Sequence, residues 1–112
     1  MNDYLESIQK LVEEEKLIRE FLLGQGYCVI CGHDDPLDLE EHHLGRKRNA
    51  PDFTITCCRN CHGRFSRKQR WWPKESLRKN NLPILKEAFV LKGTAEAILE
   101  RVRWILQQYG IQ

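Results

Sequence analysis

The sequence is short of several things, and each shortage excludes something. No run approaches the ~20 uninterrupted apolar residues of a membrane span, so no membrane partner is expected. The first ten residues, MNDYLESIQK, are acidic and have neither the basic nor the apolar region of a signal peptide, which predicts an intracellular, cytoplasmic chain. The cysteines number five, and an odd count rules out a fully paired disulfide framework within one chain. Repeats and low-complexity tracts are absent. Neither sign of charge dominates, with 18 Lys and Arg against 16 Asp and Glu for a formal net of +2, a mild figure for a nucleic-acid binder. What is present is 112 residues, 41% of them apolar, enough for a single domain over 1–112 and no more.

The mild net charge hides a division along the chain. Residues 1–45 hold three Lys/Arg against eleven Asp/Glu, a net of −8. Residues 46–79 hold eleven against two, a net of +9, and residues 80–112 hold four against three. A local excess of this size is the footprint that a polyphosphate partner attracts, although a solvated basic face gives the same count.

Hydrophobic periodicity divides 1–112 into an N-terminal helical part (1–26), a centre (27–70) and C-terminal helices (71–112). Leu5, Ile8, Leu11, Val12, Ile18, Phe21 and Leu22 fall at helical spacing over 3–23, with Gly24 and Gly26 as a stop. From Tyr27 to Thr56 the period vanishes, and short apolar runs at 27–30, 37–39 and 53–55 suit short strands and loops. A basic helix is expected over 59–70, ended by Trp71-Trp72-Pro73. Pro83 opens a further helix to about Leu91, before Gly93. Thr94 reads as the N-cap of a last helix, whose stripe Ala95, Ile98, Leu99, Val102, Ile105, Leu106 and Tyr109 ends at Gly110. Such a stripe serves as core or as a partner surface.

Cys28-Val29-Ile30-Cys31 and Cys58-Arg59-Asn60-Cys61 are two Cys-x2-Cys units with 26 residues between them. Each unit directs two thiolates at one point, and two units supply the four soft ligands of a tetrahedral zinc ion. Gly32 after Cys31 permits the tight turn that aims amide N–H groups at metal-bound sulfurs. A redox dithiol would explain one pair and not two. The expected zinc, one per chain, is structural, because four thiolates close its coordination. Cys57 is left over, a small buried hydrophobe facing away from the metal.

Glu41-His42-His43 lies between the cysteine pairs and His62 follows Cys61 directly. On a strand, His42 and His43 face opposite ways and have different jobs. His33 reads as a solvent-facing turn residue or as a partner that hydrogen-bonds a zinc ligand. This order, Cys-x2-Cys, then Glu-His-His, then Cys-x2-Cys-His followed by basic residues, resembles the HNH (ββα-metal, or His-Me finger) nucleases in their zinc-stapled form, over about residues 27–68. The resemblance implies an α+β fold, a small ββα-metal core with a structural four-cysteine zinc site flanked by N- and C-terminal helices. It also implies that His43 is the general base, and that His42 and His62 hold a catalytic divalent ion, Mg2+ or another, separate from the zinc. His62 has a second reading, as a replacement zinc ligand. The residue that orients the base in the family, often Asn, has no clear counterpart, and Asn49 and Asp52 are the candidates. One helical turn beyond His62, where some relatives place a further ligand, stands Ser66.

The activity implied is endonucleolytic hydrolysis of DNA phosphodiester bonds, leaving 5′ phosphate and 3′ hydroxyl ends. Arg46, Lys47, Arg48, Arg59, Arg64, Arg67 and Lys68 are the candidates for contacting double-stranded DNA, through phosphates and hence without sequence information. Trp71 and Trp72 either stack on bases or, as large aromatics more often do, pack against the helices. The rival function is a non-catalytic zinc-binding module for nucleic acid or a protein partner. A third is an adaptor that uses the 95–109 stripe.

Overall fold

A computed structural model describes residues 2–23 and 26–111. The expected stop at Gly24 lies outside the described residues; Gly26, at φ +77°, is in the left-handed region. The elements are α1 (Asn2–Leu23), a single-turn helix Pro36–Asp38, β1 (Leu39–His43), β2 (Thr54–Cys58), α2 (Arg59–Gln69), a second single turn Lys74–Leu77, and α3 (Pro83–Gln108). The architecture is small and α+β, with three long helices and one two-stranded sheet among the described residues. No helix among them is long and apolar enough to cross a membrane.

β1 and β2 pair antiparallel from Leu39 opposite Cys58 to His43 opposite Thr54, and α2 begins at the residue after β2. Strand, strand and helix therefore follow one another in the expected order. The run 27–30 is a turn rather than a strand, with Val29 N–H donating to the Thr56 carbonyl at 3.0 Å, so that it lies alongside β2. The core gathers around this turn: Cys28, Val29, Ile30, Leu44, Ile55, Cys57, Phe65 and Ala97 are buried, with Phe21, Leu22, Phe53 and Trp104 packed against them. Each large side chain fully buried here contributes roughly 1.5–3 kcal/mol.

The expected break between two C-terminal helices does not exist. Pro83–Gln108 is one helix, and Gly93 sits inside it, buried. The reason is a crossing too close for any side chain. A Cβ on Gly93 would lie 1.5 Å from the Leu44 carbonyl oxygen, and one on Gly45 would lie 2.6 Å from Val90 Cγ2. Two glycines thus let α3 lie directly against the chain where it leaves β1. Thr94 is not an N-cap; its hydroxyl donates to the Val90 carbonyl at 2.7 Å within the helix. The face of α3 turned inward carries Gly93, Ala97 and Glu100. The stripe Ala95 to Tyr109 faces solvent instead.

Trp72 is buried, stacked on Phe89 with ring centroids 5.9 Å apart, and its indole N–H donates to Glu96 at 3.0 Å. Trp71 is 89% exposed. Trp72 is thus a packing residue.

Candidate metal centre and histidine face

The ligand atoms of Cys28, Cys31, Cys58 and Cys61 all lie within 4.8 Å of one another. Cys31 and Cys58 sulfurs are 3.7 Å apart. Tetrahedral Zn–S bonds of about 2.3 Å place sulfurs about 3.8 Å apart, so the separation matches that of a metal-bound pair. Gly32, at φ +81°, closes the first turn with its N–H on the Cys28 carbonyl at 2.8 Å, while Cys28 N–H donates to the His33 carbonyl at 2.7 Å. The backbone amides of Cys31, Cys58 and Ile30 favour the thiolate of Cys28, and that of His33 favours the thiolate of Cys31.

Mutual proximity and burial set the acid–base state of the cluster. A hydrogen bond from Cys61, helped by these amides, holds the Cys28 thiol down at about 4 against the effect of burial. Donating that bond pushes Cys61 up, and burial pushes Cys31 up. Four sulfurs this close cannot all ionise against one another, whereas a divalent cation among them holds four thiolates. The donor set therefore fits a metal ion such as zinc. Cys57 lies outside the cluster, buried among apolar groups that push its thiol up to about 12.

The neighbouring histidines sit on β1 and α2, beside the cysteine cluster. His42 is 3% exposed on β1 and faces α2, its ring stacked on Phe65 at 4.7 Å and 5.3 Å from the ring of His62. Burial, and then the proximity of His62 and His43, pull the His42 pKa down to about 4, so the ring is neutral at physiological pH. Alternation along the strand turns His43 to the other face, half-buried opposite Thr54. His33 is exposed and hydrogen-bonded to Asp38 at 2.8 Å, a bond that raises its pKa. His33, Asp35 and Asp38 form the other close group of ligand-type side chains among the described residues; Asp35 is engaged in accepting the Leu37 N–H at 3.0 Å.

Two residues that the sequence reading missed complete the histidine face. Glu40, two before His42 on the same strand face, accepts from His62 Nδ1 at 2.6 Å. Gln69 Nε2 donates to the His43 carbonyl at 3.2 Å and stands 3.5 Å from both the Leu44 carbonyl and His42 Nε2. Both had a signal: Glu40 follows the strand period of two, and His62, Phe65 and Gln69 share one face of a helix.

Asn49 does not meet His43. Its amide is buried and saturated by the loop, donating to Gly45 at 2.8 Å and Ser76 at 3.0 Å while accepting from Asn81 at 2.9 Å. Asp52 is exposed. Ser66 is exposed as well.

Several of the basic side chains are committed within the chain. Arg46, the one non-glycine described residue at positive φ (70°), donates to the Ser76 hydroxyl at 3.0 Å and to the Gln69 carbonyl, beneath the Trp72 ring. Arg48 bonds the Leu77 carbonyl, and Arg59 the Leu37 carbonyl at 3.1 Å beside Glu40. Arg64 and Lys68 pair with Glu100, which is 2% exposed, at 3.8 and 2.5 Å. Lys47 and Arg67 are exposed. Comparison with protein-family models, curated proteins and solved structures returns no match for this chain.

Proposed function

We propose that this chain is a metal-dependent endonuclease of the HNH class acting on double-stranded DNA, with a structural zinc held by Cys28, Cys31, Cys58 and Cys61. The observation that carries the reading is the meeting of His42 and His62, from β1 and α2, with ring centroids 5.3 Å apart beside the cysteine cluster. The residues suit a divalent ion there, because His42 is neutral and keeps a lone pair, and Glu40 holds His62 by Nδ1 and leaves Nε2 free to ligate. When bound, such an ion supplies charge stabilisation at the scissile phosphate and the leaving 3′ oxygen. His43, on the opposite strand face, takes the proton from the attacking water. Gln69 grips its carbonyl from α2 and is the positioning residue in place of the Asn that the family uses. Lys47 and Arg67 are the foremost phosphate contacts.

The second reading, a non-catalytic zinc module that binds nucleic acid or a protein, has one observation in its favour. Among the described residues, no group of three ligand-type side chains with all ligand atoms within 4.8 Å of one another includes His42 and His62. Nicking of supercoiled plasmid in Mg2+, Mn2+ or Ni2+ separates the two. The nuclease reading expects relaxed circles from wild type and at least a hundredfold loss, the usual weight of a general base, in His43→Ala. Intact plasmid with every metal, or equal nicking by His43→Ala, sinks it.

A further inference from the structure

The chain exposes more surface than one of its mass needs to. Its accessible area is 8466 Å2, whereas a compact monomer of 13.3 kDa exposes roughly 6,500 Å2. The radius of gyration, 16.0 Å, likewise exceeds the ~13 Å of a compact domain of this length. Among the exposed apolar side chains, two groups are contiguous, on α1 and between α1 and α3. One is the projecting half of α1, where Tyr4, Leu5, Ile8, Leu11 and Val12 are all exposed. The other is a groove of about 400 Å3 between the second half of α1 and α3, floored by Ile18, Phe21, Val29, Ile98, Val102 and Ile105.

We infer that a second copy of this chain covers both, the projecting half of each α1 lying in the α1–α3 groove of the other. A helix with apolar side chains at i, i+3 and i+7, here Leu5, Ile8 and Val12, is the shape an apolar groove of this kind receives. Helix and groove occur on the same chain, so one two-fold operation fills both grooves and sheathes both helices, a closed isologous contact. A single helix from an unrelated protein would fill the groove and leave α1 projecting. The excess of roughly 2,000 Å2 per copy over a compact monomer is of the size that obligate homodimers, at 2,000–5,000 Å2 in total, bury between their subunits. This assembly stands independently of the nuclease reading.

The test is mass by light scattering, with thermal melting across protein concentration. Wild type at micromolar concentration is expected at twice 13.3 kDa, with a melting temperature that rises with concentration. Ile8→Glu and Val102→Lys each lie on exposed positions of the single chain, so each is expected to stay helical by circular dichroism and to sediment as a monomer. Mixed together, they regain the dimer, because one Glu–Lys contact and one native contact then form. A wild-type monomer with a concentration-independent melt overturns the proposal. So does a dimer that survives both substitutions, or a mixture that stays monomeric.

Discussion

Gly93→Ala is the most informative single substitution for the fold, because two physical arguments predict opposite signs for it. Within a helix, alanine is favoured over glycine by about 1 kcal/mol, so propensity alone predicts stabilisation. The new methyl, however, would stand 1.5 Å from the Leu44 oxygen and 2.4 Å from its carbonyl carbon, against an ordinary contact of 3.4 Å or more. Both obstacles are backbone, so no rotamer change relieves the clash, and either α3 or the end of β1 must move by nearly 2 Å. Ordinary overpacking costs about 1–3 kcal/mol. A backbone-on-backbone clash lies at or above the top of that range, and with the propensity gain subtracted the net expectation is a loss of about 2 kcal/mol or more. At roughly 4 °C or more per kcal/mol for a domain of this size, the melting temperature should fall by about 8 °C or more. Gly63→Ala is the control, since Gly63 lies in α2 with nothing within 4 Å of its added Cβ, and it should stabilise by about 0.5–1 kcal/mol. Melts followed by circular dichroism measure both. Stabilisation by Gly93→Ala equal to that of Gly63→Ala would refute the close crossing of α3 over Leu44.

Four further outcomes follow, those on nicking and DNA affinity from the proposed nuclease reading and the others from the geometry. Folded His42 stays neutral down to about 4, whereas the unfolded ring binds a proton below its ordinary 6.5. The unfolded state therefore holds more protons in that window, and stability falls as pH drops through it, by up to about 3 kcal/mol. Denaturation of wild type and His42→Leu at matched pH should show this slope in wild type only, and parallel slopes would contradict it. Gln69→Leu should cost about 1–2 kcal/mol of stability through the lost donor, and should lower kcat for plasmid nicking more than it raises KM; recovery of kcat in Gln69→Asn would distinguish a lost donor from lost packing. Lys47→Ala and Arg67→Ala should each reduce the slope of log affinity for duplex DNA against log salt by about 1. Arg46→Ala, removing a brace between the loop, Ser76 and Gln69, should lower stability instead.

The sequence was most legible where chemistry is local. The Cys-x2-Cys turns bring their own geometry, the two-residue strand period separates His42 from His43, and the helix over 59–70 is present as α2. It was least legible where the decisive contact lies far along the chain. Gly93 reads as a helix break until Leu44, 49 positions earlier, is found against it. Asn49 reads as free to orient a histidine until Ser76 and Asn81 occupy its amide. Arg64 and Lys68 read as open cations until Glu100 appears beneath them. The C-terminal stripe shows a different limit, because periodicity identifies an apolar face without saying what covers it. Here the chain turns the narrower face of Gly93 and Ala97 to its own core and leaves the larger residues outward.

In the proposed reading, the zinc held by the cysteine cluster is the scaffold, and the histidine pair beside it is a separate site. Elemental analysis of zinc in purified wild type, His62→Ala and Cys58→Ser tests this directly. One zinc per chain is expected in wild type and in His62→Ala, both folded by circular dichroism, with loss of zinc and of the folded centre in Cys58→Ser. Zinc retained by Cys58→Ser but lost from His62→Ala would contradict it.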